Sequence, residues 1–476
     1  MRARPCHGVI IRGEEIIRKT DMSAESSPRS VVLSQATKIW AYIAAMSFGG
    51  PAGQISLMHR TLVDEQNWLG EKRFLHALNY CMLLPGPEAQ QLATYIGWLM
   101  HGVRGGLIAG GLFILPGFLS ILVLSILYSE LGQLNVIEGL FFGLQAAVLG
   151  IIVHALINIA KRVLHNRLLI GVAIISFIGI FLLGIGFPII VLGAALLGYL
   201  AGKAGWQHFF IAASHGDTSY SGTSKEPPVI DDVLPAHALV NKAWSIKIGL
   251  IFLTLWLVPI IGLTLLLGQQ HVFSEIALFF SKMAVVSFGG AYAVLAYVAQ
   301  EGVAGYGWLT PAEMLDGLGM AETTPGPLIQ VVQFVGYLGG YREALGLPSV
   351  MSGLIAAVIT TWVTFMPCFL WIFVGAPYVE TLRKNQQISA ALTAVTAAVV
   401  GVILNLAIWF AIHALFEKVR KHEVIGLTLE LPTISSVDLG QLTLCGLAFI
   451  MTFGLKLKTF TTLSVCAVVG MLGFAL

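Results

Sequence analysis

The chain has 476 residues, 57% of them hydrophobic and only 11% charged, with a formal net charge of +2 and a mean hydropathy of +0.83. A water-soluble chain of this length carries about a quarter charged residues on its surface, so a bilayer is the solvent that suits this one. The small net charge excludes a basic arm or acidic tail for nucleic acid, and five scattered cysteines with no CxxC pair exclude a disulfide framework and a cysteine zinc site.

Residues 1–30 hold a short apolar patch, Val9 to Ile11, soon interrupted by Arg12, Glu14 and Glu15. That is too short and too charged for a cleavable signal peptide, so a disordered cytoplasmic tail is expected, with Met22 as an alternative start. Apolar stretches suited to membrane spans follow near 32–48, 74–101, 105–128, 137–160, 168–184 and 188–202. A polar stretch from about 203 to 243, rich in Ser, Asp and Pro, is the only long hydrophilic linker. Further spans are expected near 244–267, 272–288, 313–340, 349–375, 388–415, 440–454 and 459–476. Segments 49–73 and 289–312 are weakly apolar and read as re-entrant or interfacial.

The two sides of the linker repeat one another. Ser47-Phe48-Gly49-Gly50 returns as Ser287-Phe288-Gly289-Gly290, Trp68-Leu69 as Trp308-Leu309, and Pro85-Gly86-Pro87 as Pro325-Gly326-Pro327. All three pairs lie 240 positions apart, from 47 to 287, 68 to 308 and 85 to 325. The expected domains are a tail 1–30, a first repeat 31–203, a cytoplasmic linker 204–243, an extra connecting span 244–268 and a second repeat 269–476. The unpaired span inserts the second repeat upside down. The fold class is therefore an all-α polytopic membrane protein of two inverted-topology repeats, with about 13 spans (range about 10 to 14) and broken or re-entrant helices at Pro-Gly-Pro. With a cytoplasmic N-terminus, the basic loops at Lys161 to Arg167, Arg383-Lys384 and Lys456 to Lys458 fall inside, whereas Arg60 to Arg73 and Lys418 to Lys421 fall outside, against the positive-inside rule.

Two prolines in three residues remove backbone donors and stop a helix. In hydrocarbon the freed carbonyls and amides need protein, water or ligand as partners. Matched interruptions in two halves are the sequence mark of a transport site, and the helix after each break presents free N–H groups and a positive dipole end to an anion. The simpler reading of one Pro-Gly-Pro is a proline kink; two copies in register with two Phe-Gly-Gly elements favour a site. Glycine pairs permit positive φ and close approach of a ligand, or merely helix packing as at Gly106-x-x-x-Gly110. Polar groups expected at membrane depth are Glu88, Gln90, Gln91, Lys282, Glu322, Gln330 and Gln333. The glutamines can donate to an oxyanion, and Glu88 or Glu322 can carry a proton. Lys282 either attracts an anion or snorkels to the interface. Arg104 and Arg342 read as topological. No HExxH, nucleotide-binding glycine loop or GxSxG is present, so neither a nucleotide-driven pump nor a hydrolase is indicated, and no metal or cofactor is expected.

These motifs resemble those of the chromate transporter family: Ser47-Phe48-Gly49-Gly50-Pro51, Trp68-Leu69 and Leu84-Pro85-Gly86-Pro87-Glu88-Ala89-Gln90-Gln91, with Lys282, Ser287-Phe288-Gly289-Gly290, Trp308-Leu309-Thr310 and Thr324-Pro325-Gly326-Pro327. The likeness covers about 35–476 and is to the long, fused form. It implies secondary export of chromate, a divalent oxyanion shaped like sulfate, across a bacterial inner membrane. One departure stands out: Gln54 occupies a position where many first halves of that family carry His. The expected site comprises Phe48, Gly49, Gly50, Pro51, Pro85, Gly86, Pro87, Glu88, Gln90, Gln91, Lys282, Phe288, Gly289, Gly290, Glu322, Pro325, Gly326, Pro327 and Gln330. The expected partners are a small oxyanion, the bilayer and a second copy in a homodimer. Rival readings are a carrier of sulfate or another tetrahedral anion, a passive anion channel, and a membrane-embedded reductase, against which the missing redox motifs argue.

Overall fold

Helix lengths set the architecture. The computed structural model describes residues 31–132, 134–206, 228–230, 235–238, 241–288, 290–344, 346–378, 385–424 and 427–475. The expected tail 1–30, most of the linker and Gly289 lie outside them. Among the described residues, five helices are long and apolar enough to cross a membrane, and four shorter apolar helices accompany them. The described chain is otherwise helical except for one antiparallel hairpin, β1 (Val419–Val424) with β2 (Leu427–Pro432), which departs from the all-α expectation in a segment read as a loop.

The first repeat opens with helices too short to span a hydrocarbon core of about 30 Å. They are α1 (Leu33–Ala45), α2 (Gly50–His59, extended by a π-helical turn Arg60–Glu65) and α3 (Glu71–Cys81). At 1.5 Å per residue, the 13 residues of α1 reach about 20 Å. Next comes α4 (Glu88–Leu131), in which the chain reverses at His101 and Gly102 (φ −138° and +60°). Its first limb, 88–100, folds back on its second, 103–131. Gly97 sits against Gly105, and Thr94 against Gly106 and Gly110. The small-residue pattern at Gly106 and Gly110 is thus a packing surface, since a β-carbon at either would collide with Thr94 or with Phe373 and Phe369. Then follow α5 (Asn135–Val163), α6 (Arg167–Phe181), α7 (Phe187–Lys203) and α8 (Lys242–Leu267).

The second repeat has the same plan. It runs through α9 (Val272–Val286), α10 (Ala291–Ala299, with a π-helical turn Gln300–Gly305), α11 (Pro311–Thr323), a 3₁₀ turn Leu328–Gln330 and α12 (Val331–Arg342). It ends with α13 (Ser349–Gly375), α14 (Gln386–Leu415), α15 (Leu439–Phe449, with a π-helical turn Ile450–Gly454) and α16 (Thr459–Ala475). As α4 folds on itself, α12 folds back on α13, with Gly340 against Ala356 and Gly336 against Thr360. The spans expected near 74–101 and 313–340 therefore do not exist as single helices. Pro-Gly-Pro splits each into two short ones, because two prolines withdraw N–H donors that a continuous helix needs. Those expected near 32–48 and 272–288 stop at Phe-Gly-Gly after 13 and 15 residues, short of a full crossing.

Contacts fix which ends lie together. Ile230 N donates to Trp68 O (2.9 Å) and Gly70 N to Ile230 O (3.1 Å). His237 Nε2 bonds Trp98 O (2.9 Å), and His101 Nε2 bonds Val31 O (2.7 Å). The start of α1, the loop before α3 and the reversal in α4 thus share one end of the molecule with the described parts of the linker. We call this the linker end. The Arg60 to Arg73 segment belongs here too, so one of the two basic loops that conflicted with the expected orientation lies beside the linker. The base of the α11–α12 hairpin lies at the opposite, far end, where Arg342 bonds both Glu313 and Trp308 O. Tyr341 there donates to Glu130 (3.1 Å) near the C-terminus of α4, whose second limb covers about 43 Å between the ends. The halves also exchange partners: α16 packs along α5 and α7 along α14. Gly143 meets the Cys466 backbone and Gly198 the Ala390 backbone, approaches that only a missing β-carbon permits.

Candidate functional site

Four chain breaks meet between the two repeats. The backbone N–H of Gly86 donates to Ser287 O at 2.9 Å, and that of Gly326 donates to Ser47 O at 3.1 Å. Each Pro-Gly-Pro tip is thus stitched to the Phe-Gly-Gly break of the other repeat. Both tips need glycine: φ is +125° at Gly86 and +105° at Gly326, which L-residues with a β-carbon rarely adopt. The second tip also touches backbone, since a β-carbon on Gly326 would stand 2.9 Å from Gly117 Cα in α4. The first tip lies against Cys368 of α13. Each tip therefore rests on the long helix of the opposite half.

Helices start at all four breaks. α2 begins after Gly49 (φ +84°) with Pro51 in its first turn, and α10 begins after Gly290 (φ +93°). The first limb of α4 begins after Pro87, with Gln91 N to Pro87 O its first backbone bond (3.0 Å). The turn leading into α12 begins after Pro327, with Gln330 N bonded to Pro327 O (2.8 Å). First-turn amides of a helix have no intrahelical acceptor, so the breaks collect donors and positive dipole ends in a region otherwise apolar.

Two glutamates flank the start of α10. Glu88, half-buried, places Oε1 3.9 Å from where a Gly290 β-carbon would stand. Glu322 is buried and accepts from Tyr292 Oη at 2.6 Å. Glu88 is within electrostatic reach of Arg162 at the C-terminus of α5, whose Nη2 approaches Met82 Sδ at 3.7 Å.

The glutamines are buried, but largely occupied as donors. Gln330 directs Nε2 to Gln333 Oε1 and Thr361 Oγ1, and Gln333 donates to Phe118 O (3.1 Å). Gln90 donates to Thr94 Oγ1 (3.0 Å) and Gln91 to Pro85 O (2.7 Å). In this conformation the Gln330 amide N–H groups are directed at Gln333 and Thr361. The free atoms are acceptors: Oε1 of Gln54, Gln90, Gln91 and Gln330 are buried without a hydrogen-bond partner.

Other expected residues stand apart. Lys282 lies on the exposed face of α9. Phe48 is 39% exposed, and Phe288 is half-buried. Arg342, read as topological, ties the base of its hairpin instead.

Three residues were left out of the expected site, Gln54 having entered the sequence reading only as a departure from the family pattern. Gln54 donates from Nε2 to Gly326 O (2.6 Å) and to Ser47 O (3.2 Å), clamping the second tip to the first repeat. Its place beside a glycine pair was the available signal. Arg162 was grouped with topological charges. Asp316 is buried and accepts from Tyr128 Oη and Gln145 Nε2, both at 2.8 Å. A carboxylate inside an apolar stretch was its signal, masked by the more prominent Pro-Gly-Pro nine residues on.

Comparison with known proteins agrees with this architecture of two repeats. The family described as Chromate transporter matches residues 34–199 and 274–473. A chromate transport protein of Pseudomonas aeruginosa is 31% identical over 389 residues, covering 81% of this chain and 83% of its own. A chromate transport protein of Cupriavidus metallidurans is 28% identical over 395 residues, covering 83% and 86%. A probable chromate transport protein of Synechococcus elongatus is 28% identical over 379 residues, covering 78% and 82%. No solved structure matches the chain. The match through both repeats shows that the chain belongs to the chromate transporter family.

Proposed function

We propose that this protein is a secondary transporter that exports chromate across a bacterial inner membrane by alternating access, and so confers chromate resistance. The observation that carries the reading is the reciprocal pair Gly86–Ser287 and Gly326–Ser47. Two breaks entering from the linker end and two from the far end join into one site, which is the arrangement that inverted repeats produce at the midplane. The linker end is cytoplasmic in this reading, with the N-terminus. Lys161 and Lys456 line one cavity near the C-terminus of α5, which this reading puts on the same side, in keeping with the positive-inside rule.

The anion binds at the amides that follow Pro87 and Pro327, beside the starts of α2 and α10. Glu88 stands where an ionised carboxylate and a dianion compete for the start of α10. Protonation of Glu88 or Glu322 removes that competition and couples or gates transport. The orphan Oε1 atoms of the glutamines suit water or a hydroxyl carried by the anion.

The test is uptake of labelled chromate into inverted vesicles and purified proteoliposomes, with membrane potential and pH set separately. Saturable uptake that falls in Glu88→Gln and Glu322→Gln supports the reading. Wild-type uptake in both variants removes the coupling role. Competition by sulfate measures selectivity, and unitary conductance in a planar bilayer would instead identify a channel.

A further inference from the structure

A cavity of about 540 Å³ lies at the far end between α4, α5, α11 and α12. Its lining carries three carboxylates, Glu138, Glu313 and Asp316, against one guanidinium, Arg342. Arg342 is engaged by Glu313 and by Trp308 O, so its charge is balanced locally. Such a lining repels a dianion and attracts a cation or proton.

Asp316 lies at the inner wall, 5% exposed. Its two hydrogen bonds come from neutral donors, Tyr128 Oη to Oδ2 and Gln145 Nε2 to Oδ1. No cation bonds it among the described residues. The other titratable groups that line the cavity are Glu313 on its own helix, Glu138 from α5, and Tyr341 and Arg342 from α12, with Glu130 of α4 bonded to Tyr341 and Tyr337 of α12 bonded to Ser129 just behind them. α14 and α16 also pack on α11, and among the described residues they bring no titratable group into this cavity, whose lining from α16 is Phe474. A carboxylate at membrane depth without a counter-charge is costly when ionised, and a proton removes the cost. The same two donors hold the residue in either state: the ionised carboxylate accepts from both, and the neutral acid keeps one oxygen for each while its O–H turns to the cavity. Tyr128 and Gln145 belong to the first repeat and Asp316 to the second, so the proton sits on the seam along which the halves would move.

We propose that this cavity is the proton entry of the transporter and that Asp316 takes the proton up from the far face. The inference rests on the reading of the protein as a chromate carrier and names its coupling ion. The carboxylate binds one proton from the cavity water on the far side and releases it to water on the linker side when the seam opens there, so one proton crosses per cycle and no other reactant is needed.

Chromate flux into proteoliposomes is measured at symmetric pH and under an imposed pH gradient, with the potential clamped. Wild type is expected to move chromate faster under the gradient. Asp316→Asn is expected to lose the gradient-driven part and its pH profile while retaining chromate exchange at symmetric pH, and Asp316→Glu to restore both partly. Tyr128→Phe removes one donor to the carboxylate and is expected to move the alkaline limb of the pH profile upward; this variant decides the matter should Asp316→Asn fail to fold. A wild type that shows no chromate flux overturns the carrier reading itself. A wild type that moves chromate without response to the gradient, or an Asp316→Asn or Tyr128→Phe variant with the wild-type pH profile, overturns the proton entry alone.

Discussion

Gly326 donates its backbone N–H to Ser47 through a shared hydrogen bond, 2.9 Å to Oγ and 3.1 Å to the carbonyl oxygen, across 279 residues of sequence. The equivalent contact in the other direction, Gly86 to Ser287, uses the carbonyl alone. Both serine hydroxyls donate to the carbonyl three residues back, Ser47 Oγ to Ala44 O (2.6 Å) and Ser287 Oγ to Ala284 O (2.7 Å), so the difference lies in the bond that Ser47 Oγ also accepts from Gly326. The site is therefore symmetric in backbone and asymmetric in side chains. Removing the Ser47 hydroxyl deprives a buried amide of one of two acceptors, a loss of about 1 kcal/mol. Ser47→Ala is expected to lower the midpoint of thermal unfolding in detergent by a few degrees, and Ser287→Ala, which loses only the bond to Ala284 O, to lower it by less. Equal effects would contradict the asymmetry.

The two tip glycines differ in what surrounds them. A β-carbon at Gly86 meets side-chain ends, Gln91 Nε2 and Cys368 Sγ, which can move. One at Gly326 meets the Gly117 backbone, which cannot. Both substitutions carry the strain of positive φ, about 1 kcal/mol or more. Gly326→Ala is expected to abolish folding or transport, and Gly86→Ala to retain part of each, as read by size-exclusion profile and chromate uptake.

Lys282 supplies a contrast. It is exposed on α9 and makes no hydrogen bond or ion pair among the described residues. Lys282→Gln is expected to change chromate uptake by less than about threefold, whereas Glu322→Gln, which alters a buried group bonded to Tyr292, is expected to reduce it by about tenfold or more. A large loss in Lys282→Gln would place this side chain on the anion's route in another conformation.

The inverted arrangement has a direct test of sidedness. Lys72 and Ala312 are both exposed and lie at the bases of the two Pro-Gly-Pro hairpins, one at the linker end and one at the far end. The four described cysteines are buried and should react slowly with an impermeant maleimide. With Cys6 removed, Lys72→Cys should be labelled from the cytoplasmic face only and Ala312→Cys from the opposite face only. Labelling of both from one face would exclude the inversion.

Much of the plan was legible in sequence because its signals are local. Composition selects the bilayer, since apolar surface cannot be solvated by so few charges. The breaks at Pro-Gly-Pro follow from missing N–H donors within three residues, and the repeat from motifs 240 positions apart. Helix path is not local. Hydropathy counted 74–101 and 313–340 as crossings, because a hairpin folded back inside protein is as apolar as a helix that crosses lipid. Only packing shows that α3 and α11 turn back at their tips. It was likewise the tertiary structure that set Gln54 against Gly326, turned the Gln330 amide toward Gln333, left Lys282 outside and enclosed Asp316 between Tyr128 and Gln145. These outcomes depend on which distant surfaces meet, and a residue's type and spacing carry no record of that.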